Sequence, residues 1–227
     1  LGGDYISPQY KPARELIIPS ITNQIDTAYR IKHRLRVMTT SRIDSRLTVE
    51  VISANGAYVP VGLDNIKLSA REVRDIELPR LDVGSNNFAL KLNSDKPILA
   101  AVQSGIVGER FIDFAWIVPG RDFKESTLNF HGLEPRLNFV GERIRITARW
   151  STRQGKTREM ELNGSDFLTW LIPPNSRELT LRSSRPIVAG ALWRTSDGIT
   201  YLPLLPSAEL ESAIRPVADI SVIQPRG

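Results

Sequence analysis

Cysteine is missing from all 227 residues, and histidine is nearly so, with only His33 and His131. The first lack excludes disulfide scaffolds, thiolate metal centres and cysteine nucleophiles. The second leaves a multi-histidine metal site without ligands. Long apolar runs are also missing. The longest, Ile187 to Trp193, is strand-sized, well short of the roughly 18 to 20 residues a membrane helix requires. What is present is an ordinary soluble composition, 41% hydrophobic and 24% charged, with a net charge of +5. That balance excludes a wholly disordered chain.

The positive excess favours anionic partners, but it is spread along the chain. Its densest stretch, Arg30 to Arg46, alternates basic and apolar residues, as a half-buried strand with a solvated basic face does. Aromatic interleaving and nucleic-acid motifs are missing there, so no specific nucleic-acid binding is expected. The chain opens Leu1-Gly2-Gly3-Asp4 without Met or an apolar signal core. It reads as a mature or trimmed chain, with any signal or membrane anchor upstream.

Period-two alternation dominates. Leu47, Val49 and Val51 alternate with Thr48 and Glu50; Ile144, Ile146, Ala148 and Trp150 alternate with Arg145, Thr147 and Arg149; Leu179 and Leu181 follow suit. Such runs predict antiparallel sheets with one wet face. Asn55-Gly56, Gln154-Gly155, Asn163-Gly164 and Asp197-Gly198 punctuate them as turns, several of hairpin type. Ser69 to Glu72 fits a capping box, but Pro79 follows too soon for more than one helical turn. Ser207 to Ile214 predicts a short helix.

The strongest signal is an internal repeat. Leu90-Lys-Leu-Asn-Ser94-Asp-Lys96-Pro97-Ile98-Leu-Ala100-Ala recurs as Leu179-Thr-Leu-Arg-Ser183-Ser-Arg185-Pro186-Ile187-Val-Ala189-Gly. Around it, Val73, Ile76, Leu78 and Pro79 match Phe167, Trp170, Ile172 and Pro173, and Leu47–Val51 matches Ile144–Ala148. Phe114 to Pro119 matches Tyr201 to Pro206. Proline suits the first residue of a strand after a turn, so each copy reads as turn, then core strand. Small Ala100, Ala101, Ala189 and Gly190 would admit a close neighbour.

The predicted fold is therefore all-β: two tandem immunoglobulin-like β-sandwich domains related by the repeat. The expected order is an N-terminal extension at 1–29 able to add one strand, sandwiches at 30–125 and 136–211, and a tail at 212–227. Ile17-Ile-Pro19 and Ile220-Ser-Val222-Ile read as strands outside the repeat, and the boundary is expected between Phe123 and Phe139.

Catalytic constellations are each incomplete. Gly155-Lys156-Thr157 resembles the end of a phosphate loop, but Trp150 stands where that loop needs glycine. A Gly-x-Ser-x-Gly elbow and a His-Glu-x-x-His helix are missing. Asp113, Glu109, Asp166 and Asp197 are the carboxylates from which a glycosidase pair could be drawn, with nothing selecting two of them. Asp113 reads better as a turn cap or an outward strand residue. Asn163-Gly-Ser165 matches a glycosylation acceptor but reads as a turn. Trp116, Trp150, Trp170 and Trp193 could form a sugar platform, though three occupy apolar strand positions; Trp193, beside Arg194, is the candidate exception. The binding candidates are thus Trp193 and the basic strand residues Arg34, Arg36, Arg145, Arg149 and Arg182. No catalytic residue, cofactor or metal is assigned.

Ile76-Glu-Leu78-Pro79, Ser94-Asp-Lys96-Pro97-Ile98 and Asp113-Phe-Ala-Trp116 appear in that order. Over residues 33 to 206 the arrangement resembles a family of secreted or membrane-anchored proteins from high-GC Gram-positive bacteria, domain of unknown function 5719. The resemblance implies location and architecture and transfers no catalytic residue. The expected function is a non-enzymatic, extracytoplasmic structural or binding module of the bacterial cell envelope. It would present loops and a basic face to an anionic cell-wall polymer or a partner envelope protein, with membrane contact only through an upstream anchor. The alternative is a carbohydrate-binding module using exposed aromatics; a glycan hydrolase would need a cleft with two convergent carboxylates.

Overall fold

The structure, a computed structural model, describes residues 11–23, 30–79, 81, 83, 86–107, 111–129, 134–195 and 198–207. Its elements are strands. The first unit comprises β1 (Ala13–Thr22), β2 (Arg30–Thr39), β3 (Ser45–Ser53), β4 (Gly56–Tyr58), β5 (Ile66–Leu68), β6 (Val73–Glu77), β7 (Asn87–Val107) and β8 (Phe111–Ile117). The second comprises β9 (Phe123–Asn129), β10 (Arg136–Val140), β11 (Arg145–Thr152), β12 (Thr157–Asn163), β13 (Phe167–Leu171), β14 (Ser176–Arg194) and β15 (Ile199–Pro203).

The two units repeat each other in their pairing. In the first, the order is β4-β3-β7-β2-β6, with β1 and β8 on β7 and β5 on β3. In the second it is β12-β11-β14-β10-β13, with β9 and β15 on β14. Every pairing is antiparallel, and β1, β2, β3, β6, β7 and β8 correspond to β9, β10, β11, β13, β14 and β15, while β4 and β5 on β3 take the place that β12 alone holds on β11. Each unit is a β-sandwich-like body folded around one long strand.

That strand explains the Ser-x-basic-Pro element differently from the sequence reading. No turn separates two strands there; β7 and β14 run on through it. Ser94 Oγ accepts the N–H of Lys96 at 3.4 Å, and Ser183 Oγ accepts that of Arg185 at 3.4 Å. This local side-chain-to-backbone bond competes with ladder pairing, and proline removes a donor. The register of the neighbouring strand breaks at the same place, between Ala13 and Glu15 on β1 and opposite Arg182 and Ile187 on β9. The first half of β7 pairs with β1 and β3, the second with β2 and β8. One strand therefore belongs to both layers.

Between the layers lies a separate core for each unit. Leu35, Val37, Leu47, Val49, Phe88 and Leu90 are among the first, and Phe139, Ile146, Leu179, Leu181 and Ala189 among the second. Phe88 and Phe139 are wholly buried, each contributing about 2 to 3 kcal/mol of apolar transfer energy. His33 sits in the first core. Its Nε2–H donates to the Thr22 carbonyl at 3.2 Å, and its Nδ1 takes the Ser104 hydroxyl proton at 2.8 Å. Burial pushes its pKa down to about 4, opposed in part by the Thr22 bond.

Several local expectations are corrected. β9 pairs with β14, so the chain leaves the first unit between Ile117 and Phe123, earlier than the 123–139 stretch expected. Ile17-Ile-Pro19 has a repeat partner after all: β1 is the counterpart of β9. Asn163-Gly164 is no hairpin, because β12 pairs with β11 while β13 pairs with β10; it carries the chain between layers. Ser69–Glu72, where the sequence allows one helical turn or none, is a turn in which Glu72 accepts the Ser69 N–H at 2.5 Å, and strand β6 follows, in line with that expectation. The helix expected at Ser207 to Ile214 lies, past Ser207, outside the described residues, as does Ile220–Ile223.

Candidate functional site

The junction between the units is the most elaborated feature of the molecule. The outer face of β1, β3 and the first half of β7 lies against the outer face of β10 and β13. Ile17, Ile52 and Ala89 pack there on Val140 and Phe167. Beside them, Ile106 and Ala115 pack on Leu192, Ile199 and Tyr201. Among the described residues, side-chain hydrogen bonds stitch the seam. Ser20 Oγ donates to the Gly190 carbonyl at 2.9 Å, Tyr201 donates to the Val118 carbonyl at 3.0 Å, and the Ile199 N–H donates to Asp113 Oδ2 at 2.9 Å. Gly190 is required sterically, since a Cβ there would stand 2.5 Å from the Tyr201 ring and 2.8 Å from Ser20 Oγ. Gly120 is required too, because its Cβ would meet Val188 at 2.4 Å.

Asp113-Phe-Ala-Trp116 thereby acquires a physical meaning. Asp113 caps the start of β15, Ala115 enters the junction cluster, and Trp116 lies under the Arg36 guanidinium, 5.3 Å from its ring centre. Asp113, which the sequence reads as a turn cap or an outward strand residue, sits in strand β8 and accepts the Ile199 N–H of the second unit. Residues 1–166 match the model of a family of unknown function, DUF5719. The chain belongs to that family. The DUF5719 match spans the whole first unit and the second as far as Asp166. No curated protein matches. Among solved structures, the crystal structure of Thermotoga maritima 1070 is similar at 14% identity with a TM-score of 0.39, covering 48% of this chain and 95% of that one.

Beside the junction, the DUF5719 chain opens a cleft of about 650 Å³. Its walls bear Glu15, Glu50 and Lys91 from the first unit, Asp122 from the connection, and Glu142 and Asp166 from the second. Lys91 Nζ lies 3.3 Å from Glu15. Acids from both units thus line one opening in a chain of net positive charge, a feature that sequence reading missed. Among the described residues, no three His, Cys or acidic side chains are grouped to hold a metal ion. Of the four sequence-selected carboxylates, Asp166 lies in the cleft, Asp113 clamps β15, and Glu109 and Asp197 fall outside the described residues.

The five arginines do not form one basic face. Arg34 and Arg36 lie on β2, where Glu77 and Asp75 of β6 stand directly opposite. Arg36 grips Asp75 through Nε and Nη2 at 2.7 and 2.8 Å, and Arg34 Nε reaches Glu77 at 2.9 Å. Hydrogen bonds from Arg36 hold the Asp75 carboxyl below its usual range and raise the guanidinium in turn. Arg145, Arg149 and Arg182 lie on a different sheet face, in the second unit. Arg182 Nε is 3.4 Å from Glu125, and Arg149 stands opposite Glu159. A shallow pocket of about 320 Å³ there mixes both signs, with Arg149 and Arg182 beside Glu159 and Glu178. Alternation revealed which side these arginines face, but not the acids brought alongside by neighbouring strands.

The tryptophans do not form a platform. Trp150 is buried, edge-on to Trp170 at 5.9 Å, while Trp170 and Trp193 pack half-buried against the second core. Trp116 is half-buried on the first unit.

Proposed function

We propose that this DUF5719 chain is a non-enzymatic scaffold of the bacterial cell envelope, outside the cytoplasm, which holds two sandwiches in fixed relation and presents their outer faces to a partner protein. The observation that carries the reading is the junction. Two apolar clusters and the Ser20, Tyr201 and Asp113 bonds give the pair the character of one stiff block rather than two beads on a linker. The ion pairing of Arg34, Arg36 and Arg182 favours a protein partner over an anionic polymer, because paired cations lose much of their pull on a polyanion. We also read each unit as immunoglobulin-like. In the second unit, pairing of its second strand with its fifth, its third with its sixth and its sixth with its seventh supports this, and β2–β6, β3–β7 and β7–β8 are the equivalent pairs of the first.

The test is protease shaving of intact cells with proximity labelling from the tagged protein. Accessibility at the cell surface and labelling of envelope proteins is the expected result. Recovery in the cytosol alone, or glycan cleavage by the purified protein, would overturn the reading.

A further inference from the structure

The repeat lets one junction be read twice. In the second unit, Val140 pairs with Phe167 and with Val188, and both Val140 and Phe167 are 4% exposed because the first unit covers them. The same positions of the first unit follow from the register. Met38 pairs with Val73 and with Leu99, and Leu99 is the repeat counterpart of Val188. Met38 and Val73 are 40% and 57% exposed. The rest of the face corresponds as well. Arg36 and Asp75 form a cross-strand bond where Asn138 and Thr169 form one, and Trp116 stands opposite Gln103 as Tyr201 stands opposite Leu192. The first unit thus keeps, uncovered, an apolar pair with a fixed polar pair beside it.

The complementary face is different. Where the first unit offers Ile17, Ile52 and Ala89 to the junction, the second carries Thr127, Ser151 and Glu178. A charged, hydrated surface of that kind suits a terminal cap. Burying Glu178 against Met38 and Val73 would strand a charge, so this chain does not add to its own first unit head to tail.

We propose that the outer face of β2, β6, β8 and the second half of β7 is a docking face for another β-sandwich of this kind, carried on another polypeptide. That partner would present small and branched apolar side chains where Ile17, Ile52 and Ala89 stand. The junction inside this chain is the template for the complex. The proposal deepens the scaffold reading and rests on it for a protein partner.

The probe is the chain itself, given the missing face by T127I, S151I and E178A and relieved of its own docking face by M38D and V73D. Mixed with the unaltered chain in sedimentation velocity, it is expected to form a 1:1 complex at double the mass. M38D and V73D in the other partner should weaken that complex at least about tenfold, since the charges would be buried unpaired. Absence of a complex, or a complex indifferent to M38D and V73D, would overturn the proposal. Should the five-fold variant fail to melt cooperatively, S151V with E178A supplies a milder donor, judged by the same two outcomes. These are measurements on purified protein, so a negative result removes this docking face and leaves the cell-surface assignment to its own test.

Discussion

Asp113, in the first unit, accepts the backbone N–H of Ile199, in the second, at 2.9 Å. The carboxylate thereby fixes where β15 begins, 86 positions later in the chain. Replacing it with alanine leaves that half-buried N–H without its acceptor. The expected cost is about 1 to 3 kcal/mol, with faster amide exchange at Ile199; D113N, which keeps an acceptor oxygen, should recover part of it. Unchanged exchange at Ile199 in D113A would refute the clamp.

Gly190 is one of the tightest points of the seam. G190V is expected to cost about 1 to 3 kcal/mol by overpacking and to widen the angle between the units, read as a longer maximum dimension in small-angle scattering. The matched change A101V lies on the uncovered face of the first unit and should leave the scattering profile as it was.

His33 makes stability depend on pH. In the unfolded chain the imidazole takes a proton near pH 6.5, whereas in the fold it holds off until about 4. Between those values the unfolded state binds more protons, so stability falls as pH drops from 6.5 to 4 and this contribution levels off below. Its full size is on the order of 3 kcal/mol. Urea titrations at pH 7 and pH 4.5 should show a steeper loss for the native protein than for H33Q; equal slopes would remove His33 as the cause.

Arg36 and Asp75 are expected to matter more for titration than for stability. R36A should cost about 1 kcal/mol or less, as exposed pairs do. The Asp75 carboxyl, followed by NMR, should titrate higher in R36A than in the native protein.

The strands and the duplication were legible because period-two alternation and a shared Ser-x-basic-Pro element are local features. Register was less so. The sequence match sets Leu47 against Ile144, yet the ladders set it against Ile146, since Leu47 faces Ser94 and Ile146 faces Ser183. A slip of two residues leaves every side chain on its original face, so alternation cannot detect it. The same slip separates Phe114, matched to Tyr201 by sequence, from Trp116, its counterpart in the sheet. The junction was hidden for another reason: Ser20 and Gly190 are 170 positions apart. Its one trace was the replacement of Ala101 by Gly190 in an otherwise parallel repeat.

β7 and β14 give the molecule a mechanical character. A sandwich whose layers are joined by loops can open like a book, but here a single extended segment is woven into both leaves of each unit. Prising the leaves apart must tear ladder bonds along that segment, so under tension each unit should give way as a block. Within the scaffold role proposed above, such a weave would act as a strut rather than a spring.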